Sequence, residues 1–465
     1  MVILNLPSKL TLVDNDLKYD GTSYIGKKFA DFQALKSELE VDVAKGFTMT
    51  NAPLTTGKSG ATVPSSAATT TLATINKKNI KPTAEEAEQN TAATIYVERS
   101  VAKVTVTKSS TASDKIEGTT NIKYSIKGFD LDNTNTTSFI VRNADETATT
   151  WYKLKSNSNL VNGDDKYRFI GVSPVDGTSE ESKKLYRTYW AKDPNYDNTT
   201  TAINSSSSTQ DGEGHDRFVG IDKPKYCMEN TFDVAHQTQV NTTRAILRVQ
   251  MYKNGETAGK TYYMYNNDVN TFDSETDFNT NAVTTANKLT AVLAGGKKVA
   301  SIALEDAKDE SGNKIAGYKQ IQSVTFEGET SSKTAGDAFI AIKNYFGKIT
   351  VYTDGYAYYP VLIKHFGDQL TPWNEKDDKK EWTTQPSAGG IDQIYPTTNR
   401  DANYLGRYGV VRNNWYELSV NKVMRPGSPV IDTPKNTPDD ELNSYISVSI
   451  NILSWAKRSQ DVDLQ

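Results

Sequence analysis

Between Tyr445 and Trp455 the sequence alternates strictly, with Ile446, Val448, Ile450 and Ile452 on one face and Ser447, Ser449 and Asn451 on the other. Period two, with a β-branched residue at each apolar position, does not fit one face of a helix. It predicts a β-strand with one buried side. The segment ahead of it, 424–442, holds Pro426, Pro429, Pro434 and Pro438 together with Gly427. A proline-rich lead-in is stiff and extended, so it is able to carry a strand away from the residues before it. Two readings stand at this point: the strand closes its own sheet, or it is donated to a neighbouring molecule.

The rest of the chain is built from similar material. Val2-Ile3-Leu4-Asn5-Leu6 predicts a strand at the start. Residues 94–107 read as a strand whose phase changes: Ile95 and Val97 share one parity, and Ala102, Val104 and Val106 the other. One inserted residue flips the side-chain register, so a bulge is expected near 99–101. Further strands are expected at 245–252, 260–265, 348–352, 356–363 and 416–420. Helical signals are few. Phe29, Phe32, Leu35 and Leu39 predict one apolar helical face within 26–39, and 278–293 carries a weaker pattern. Residues 55–80, 204–214 and 368–399 read as long exposed loops. Many short strands without regular helices between them predict an all-β chain of antiparallel sandwiches. At 465 residues two domains fit, and the polar stretch 229–241 places a junction near residue 238.

Composition narrows the function. With 53 Lys+Arg against 57 Asp+Glu, the net charge of −4 offers no excess of cations to track nucleic-acid phosphates. No apolar run approaches the roughly 18–20 residues of a spanning helix, and no charged and apolar leader of the signal-peptide type is seen. The single cysteine, Cys227, has no internal disulfide partner and reads as a small buried side chain. His215, His236 and His365 are far apart, so neither a metal site nor a nucleophile–base pair is expected, and no cofactor. Asp14-Asn15-Asp16 with Asp20-Gly21 lacks the distal Glu of a calcium loop and reads as a turn with solvated acids. Asn135-Thr136-Thr137 fits a glycosylation sequon, a tripeptide common by chance in Asn/Thr-rich sequence. Trp373 and Trp382 would suit a sugar-stacking loop, and a monomeric, surface-bound carbohydrate-binding protein is therefore the competing reading.

Five motifs in order carry a family resemblance. Val97-Glu98-Arg99-Ser100-Val101-Ala102-Lys103 resembles the Val-Glu-Arg-x-Val-Ala-Lys strand of fimbrillins, the shaft subunits of protease-assembled pili of Gram-negative anaerobes. Tyr226-Cys227-Met228-Glu229-Asn230 is similar to the Tyr-x-x-Glu-Asn that precedes the family's second domain, and Thr242-Thr243-Arg244 to that domain's opening. Gly355-Tyr356-Ala357-Tyr358-Tyr359 and Val411-Arg412-Asn413-Asn414-Trp415-Tyr416 resemble two of its strands, and Trp455 to Gln465 is most similar to the major subunit of the short, Mfa-type fimbriae.

The resemblance implies two transthyretin-like sandwiches, 1–238 without its first strands and 239–465 with a donor segment at 441–465. It implies a structural, non-enzymatic shaft subunit of an adhesive fimbrium, made as a lipoprotein precursor and reaching the cell surface through the periplasm and outer membrane. An Arg-specific protease would remove an N-terminal strand, and identical subunits would then join head to tail. Anchor and tip proteins and host or bacterial surface receptors would be the other partners. The lipid-bearing cysteine and processing arginine would lie before Val2, since Arg99 sits inside a strand. Ile446, Val448, Ile450 and Ile452 would be the inserted side chains. Glu98, Arg99, Lys103, Glu229, Asn230, Arg412, Asn413, Tyr416 and Trp455 would be the structural residues of the motifs.

Overall fold

The computed structural model describes residues 1–40, 46–56, 69–89, 93–143, 185–187, 191, 193–194, 203–204, 206–210, 214–232, 236–365, 408–437, 439 and 446–454. Strands dominate, and nearly all pair antiparallel. At the centre, a four-stranded sheet runs in the order Lys225–Met228, Val101–Lys108, Asn414–Val423, Ile446–Ser454. A three-stranded sheet, Ile122–Asp132, Arg244–Lys253, Tyr356–Leu362, lies against it. Side chains from both sheets form one continuous core. Ala102, Val104, Val106, Tyr416, Leu418, Val420 and Val448 enter it from one side, and Phe129, Leu247, Val249, Met251 and Tyr359 from the other. This is the sandwich expected from the alternating segments. The Asn414–Val423 strand shows why it forms: its even-numbered residues from 414 to 420 are buried and its odd-numbered ones half-exposed.

One pair in the sandwich is parallel. Lys103 to Lys108 run alongside Trp415 to Val420 in the same direction. The two strands are some three hundred residues apart in sequence, so no hairpin forces them antiparallel. Pairing also crosses residue 238 in both sheets: Ile122–Asp132 joins Arg244–Lys253, and Val101–Lys108 joins Asn414–Val423.

A second body of structure occupies 262–352. Its five-stranded sheet runs Asp273–Ser274, Tyr262–Tyr265, Ile349–Tyr352, Lys314–Phe326, Val299–Lys308. Helices Glu275–Ala286, Thr290–Ala294 and Asp337–Phe346 supply Phe278, Ala282, Val292, Phe339, Ile342 and Phe346 to the core beneath them. The pattern expected at 278–293 is thus two helices, the first starting where the Ser274 hydroxyl accepts from the Asp277 N–H.

Near the N-terminus the Leu10–Val13 and Asp16–Tyr19 strands are joined by Asp14 and Asn15, both at positive φ. That is the turn chemistry of a two-residue hairpin, which explains the acidic cluster without a cation. Ile3–Leu4 pairs with Met49–Asn51, as the opening strand predicts. The helix expected over 26–39 is corrected: it covers only Phe29–Gln33, and Lys36–Glu38 is a strand paired with Thr137–Phe139. Phe32 and Leu35 are buried but Leu39 is exposed, because an available strand partner captures the backbone that a second helical turn would have used. The phase change in 94–107 is a change of sheet. Val97–Arg99 pairs with Met49–Asn51, and after Ser100 the chain enters the central sheet. Of the three expected long loops, 368–399, with Trp373 and Trp382, lies outside the described residues, as do 57–68 and 211–213.

Because pairing crosses residue 238, residues 1–238 and 239–465 produced as separate polypeptides in one cell should copurify as a complex, and neither alone should give a cooperative unfolding transition. Two fragments that fold singly and stay apart would contradict this arrangement of strands.

Candidate functional site

The terminal strand lies in cis at the edge of the central sheet. Its register with Asn414–Val423 is antiparallel, with Ile452 opposite Tyr416, Ile450 opposite Leu418, Val448 opposite Val420 and Ile446 opposite Val423. Asn421 is the extra residue of a bulge between Val420 and Lys422. Residues directly opposite in an antiparallel pair share a face, and Tyr416, Leu418, Val420 and Val423 are all fully buried. Of the four aliphatic positions singled out in the sequence, Val448 sits in the core with no exposed surface. Asn414–Val423 is this strand's only partner among the described strands.

Next to this edge, the motif residues converge on a buried cluster of charges. Glu98 leaves the strand ahead of Ser100, Glu229 follows Lys225–Met228, and Arg412 precedes Asn414–Val423. Arg412 donates to Glu229 Oε1 from Nε (3.0 Å), and its Nη2 lies 2.8 Å from the same oxygen in an ion pair. The same guanidinium reaches Ser138 Oγ (2.5 Å) and the carbonyls of Phe139 (2.7 Å) and Ile140 (3.3 Å). Arg142 donates from Nε to Glu98 Oε1 (2.8 Å) and from Nη2 to Glu98 Oε2, and its Nε lies 3.9 Å from Glu229 Oε2. All four side chains are at least 97% buried. Two carboxylates against two guanidiniums make a neutral set, and the carbonyls absorb donors the carboxylates do not reach. Without that closure, four charges removed from water would cost several kcal/mol each.

The neighbouring motif residues extend this network. The Asn413 side chain accepts from the Arg99 N–H (3.2 Å), and the Asn413 N–H donates to the Val101 carbonyl (2.8 Å). Asn230 donates to Asn241 O (2.7 Å) and Thr243 Oγ1 (2.9 Å), holding the entrance to Arg244–Lys253. Lys103 places its ammonium 3.7 Å from the Trp415 ring centroid, across the parallel pair. Gly355 is at φ +76, and a Cβ there would sit 2.2 Å from the Met251 carbonyl oxygen, so the motif glycine is obligatory at that turn. Trp455 lies outside the described residues. Asn135 is buried and donates to Asp193 and to the Glu229 carbonyl, which leaves the sequon no access to solvent. Cys227 sits opposite Ala102 in the core, and burial pushes its thiol up to about 12.

Sequence reasoning missed two members of the site. Arg142 ends the apolar run Phe139-Ile140-Val141, and nothing local distinguishes it from a surface arginine. His365 reads as a loop residue but is buried, with Nδ1 2.6 Å from the Tyr416 hydroxyl. That hydroxyl accepts from the Val411 N–H (2.9 Å), which leaves its own proton for Nδ1 in the tautomer protonated at Nε2. Burial, with Arg142 adding to it, pushes the imidazole down to about 3 and keeps it the neutral acceptor this geometry needs. Among the described residues no group of three or more His, Cys, Asp or Glu is arranged to hold a metal ion.

Comparisons with known proteins fit this geometry. Residues 393–461, which include Arg412, Tyr416 and the terminal strand, match the family model of the major fimbrial subunit protein type IV, fimbrillin, C-terminal. Among curated proteins none matches the chain. Two crystal structures, both of candidate cell adhesion proteins from Parabacteroides distasonis ATCC 8503, show a distant likeness. One is 11% identical, with 98% of this chain and 75% of that chain covered at a TM-score of 0.32. The other is 11% identical, with 92% and 78% covered at 0.29. At those scores neither bears on fold or function.

Two outcomes follow from the buried charges. Arg412→Met strands Glu229 and should lower the stability measured by urea unfolding by about 3–5 kcal/mol, and a loss below about 1 kcal/mol would show that the cluster is not a closed unit. The folded His365 pKa is depressed, so the unfolded chain binds a proton that the folded chain refuses, and stability falls as pH drops below about 6.5. Between pH 6.5 and 5 that loss approaches roughly 2 kcal/mol. Burial also raises the Glu98 carboxyl, but it is common to both proteins in a comparison with His365→Gln. The difference between the two pH profiles should therefore carry the histidine effect alone, and parallel profiles would contradict it.

Proposed function

We propose, from the match of residues 393–461 to the fimbrillin family model, that this chain is a structural shaft subunit of a cell-surface adhesive fimbrium and that its terminal strand joins subunits in trans. The observation that carries this reading is the edge position of Ile446–Ser454. Lifting the strand breaks one ladder, along Asn414–Val423, and leaves every other described strand pair intact. It also bares Tyr416, Leu418, Val420 and Val423. An apolar face beside a row of unpaired backbone groups accepts an added strand, and the strand released is of matching character.

In this reading the strand released from one subunit enters the groove left in the next when a protease removes an N-terminal strand. Four buried aliphatic side chains contribute roughly 6–12 kcal/mol before ordering costs, and each ladder hydrogen bond adds about 0.5–1.5 kcal/mol. Those magnitudes suit a long-lived joint. Head-to-tail insertion is heterologous and does not close, so it builds a filament. Residues 440–445 carry the strand across to the neighbour, while 426–432 keeps its seat against Tyr358. The strand's cis seat then protects the apolar edge until assembly. Anchor and tip proteins, surface receptors, adhesion and colonisation, and a lipidated precursor exported through the periplasm and outer membrane complete the proposal. No helix among the described residues is long and apolar enough to cross a membrane.

Truncation after Leu442, or Val448→Asp with Ile450→Asp, in the full-length precursor should abolish fibres in electron micrographs. Circular dichroism should show a folded monomer for the truncated subunit, because no other strand pair depends on the strand removed. Fibres of normal length from the truncated subunit would return this strand to closing its own sheet.

A further inference from the structure

A cleft of about 400 Å³, lined by none of the clustered charges, opens between the five-stranded sheet and the proline-rich segment 426–432. Its walls are fixed. The Tyr352 hydroxyl donates to the Gly427 carbonyl (3.1 Å) and the Tyr359 hydroxyl to the Arg425 carbonyl (2.8 Å). Tyr358 and Ser428 exchange main-chain hydrogen bonds of 2.8 and 3.1 Å. A Cβ on Gly427 would sit 2.6 Å from the Tyr358 carbonyl oxygen, so the segment packs against the strand with no room to spare. A ligand entering here would meet a preformed surface and little ordering cost.

The rim, in contrast, is polar and uncommitted. Asn266 and Asn267, both held at positive φ in the turn after Tyr262–Tyr265, present exposed amides, and Lys348 presents an exposed ammonium. None of the three side chains has a partner among the described residues. Asp432, which also lines the cleft with Tyr318, accepts from the Ser428 hydroxyl through one oxygen (3.0 Å).

We propose that this cleft is a binding site for a neutral saccharide of one or two rings. Sugar hydroxyls both donate and accept. The rim offers groups that do both in the two amides and the phenol, a donor in Lys348 and an acceptor in Asp432. The single cation and single anion balance, so the lining carries no net charge that would favour an anionic or a cationic ligand. A purely apolar ligand would strip water from five polar groups and return no hydrogen bonds. The volume is at the small end of ligand sites, as a mono- or disaccharide requires. This site is separate from the terminal strand, so it binds whether or not subunits polymerise.

The purified full chain applied to an array of neutral, sialylated and sulfated glycans should retain a subset of the neutral ones. Titration calorimetry with the best of these should then show about a tenfold or greater loss of affinity in Lys348→Ala and in Asn266→Gly with Asn267→Gly, the latter keeping the positive φ. Both variants should melt with the wild-type midpoint and still form fibres. An array with no neutral glycan above background, retention confined to acidic glycans, or affinity unchanged in both variants would overturn the proposal.

Discussion

Asn414–Val423 is the strand on which the rest of the structure depends. It pairs on one side with Val101–Lys108, in parallel, and on the other with the terminal strand. Its buried face, Tyr416, Leu418 and Val420, lies at the middle of the largest core. An interior strand is committed on both edges, so whatever occupies its outer edge decides whether the central sheet ends in an exposed ladder. A chain that keeps this edge occupied by its own last described strand has solved an aggregation hazard locally. The same seat means that removing that strand breaks a single ladder.

The buried charges explain why the motif residues belong together. Glu98, Glu229 and Arg412 come from distant segments and meet with Arg142 where the first strands turn into the central sheet. Such a cluster contributes less net stability than an apolar core of the same volume. Its arrangement is specific, however: each guanidinium has one set of oxygens to satisfy, which fixes how Val97–Arg99, 137–142 and 408–413 approach one another. His365 and Tyr416 couple this corner to the core through a hydroxyl that accepts from Val411 and donates to a neutral imidazole.

Much of the fold was legible in period-two patterns. The strands at 101–108, 244–253, 356–362 and 446–454 lie where alternation and turn residues put them, because one-sided burial writes itself directly into sequence. What was illegible was pairing. Nothing in Val101–Lys108 announces a parallel partner some three hundred residues away, and nothing in Lys36–Glu38 announces that Thr137–Phe139 will draw it out of a helix. Helix Asp337–Phe346 left a signal in Phe339, Ile342 and Phe346 that strand-dominated reading passed over. At the site, the motif residues were found by resemblance, whereas Arg142 and His365 take their character wholly from burial, which a local sequence window does not contain.

The central claim is that the terminal strand must leave its cis seat for subunits to join. Ser419 and Ser449 are directly opposed in the ladder, at a separation a disulfide spans, and the native Cys227 is buried beyond the reach of exchange. Ser419→Cys with Ser449→Cys in the full-length precursor therefore locks the strand at home on oxidation. The account predicts no fibres while the bond is closed and normal fibres after reduction. Fibres that form equally well from the oxidised protein would contradict it.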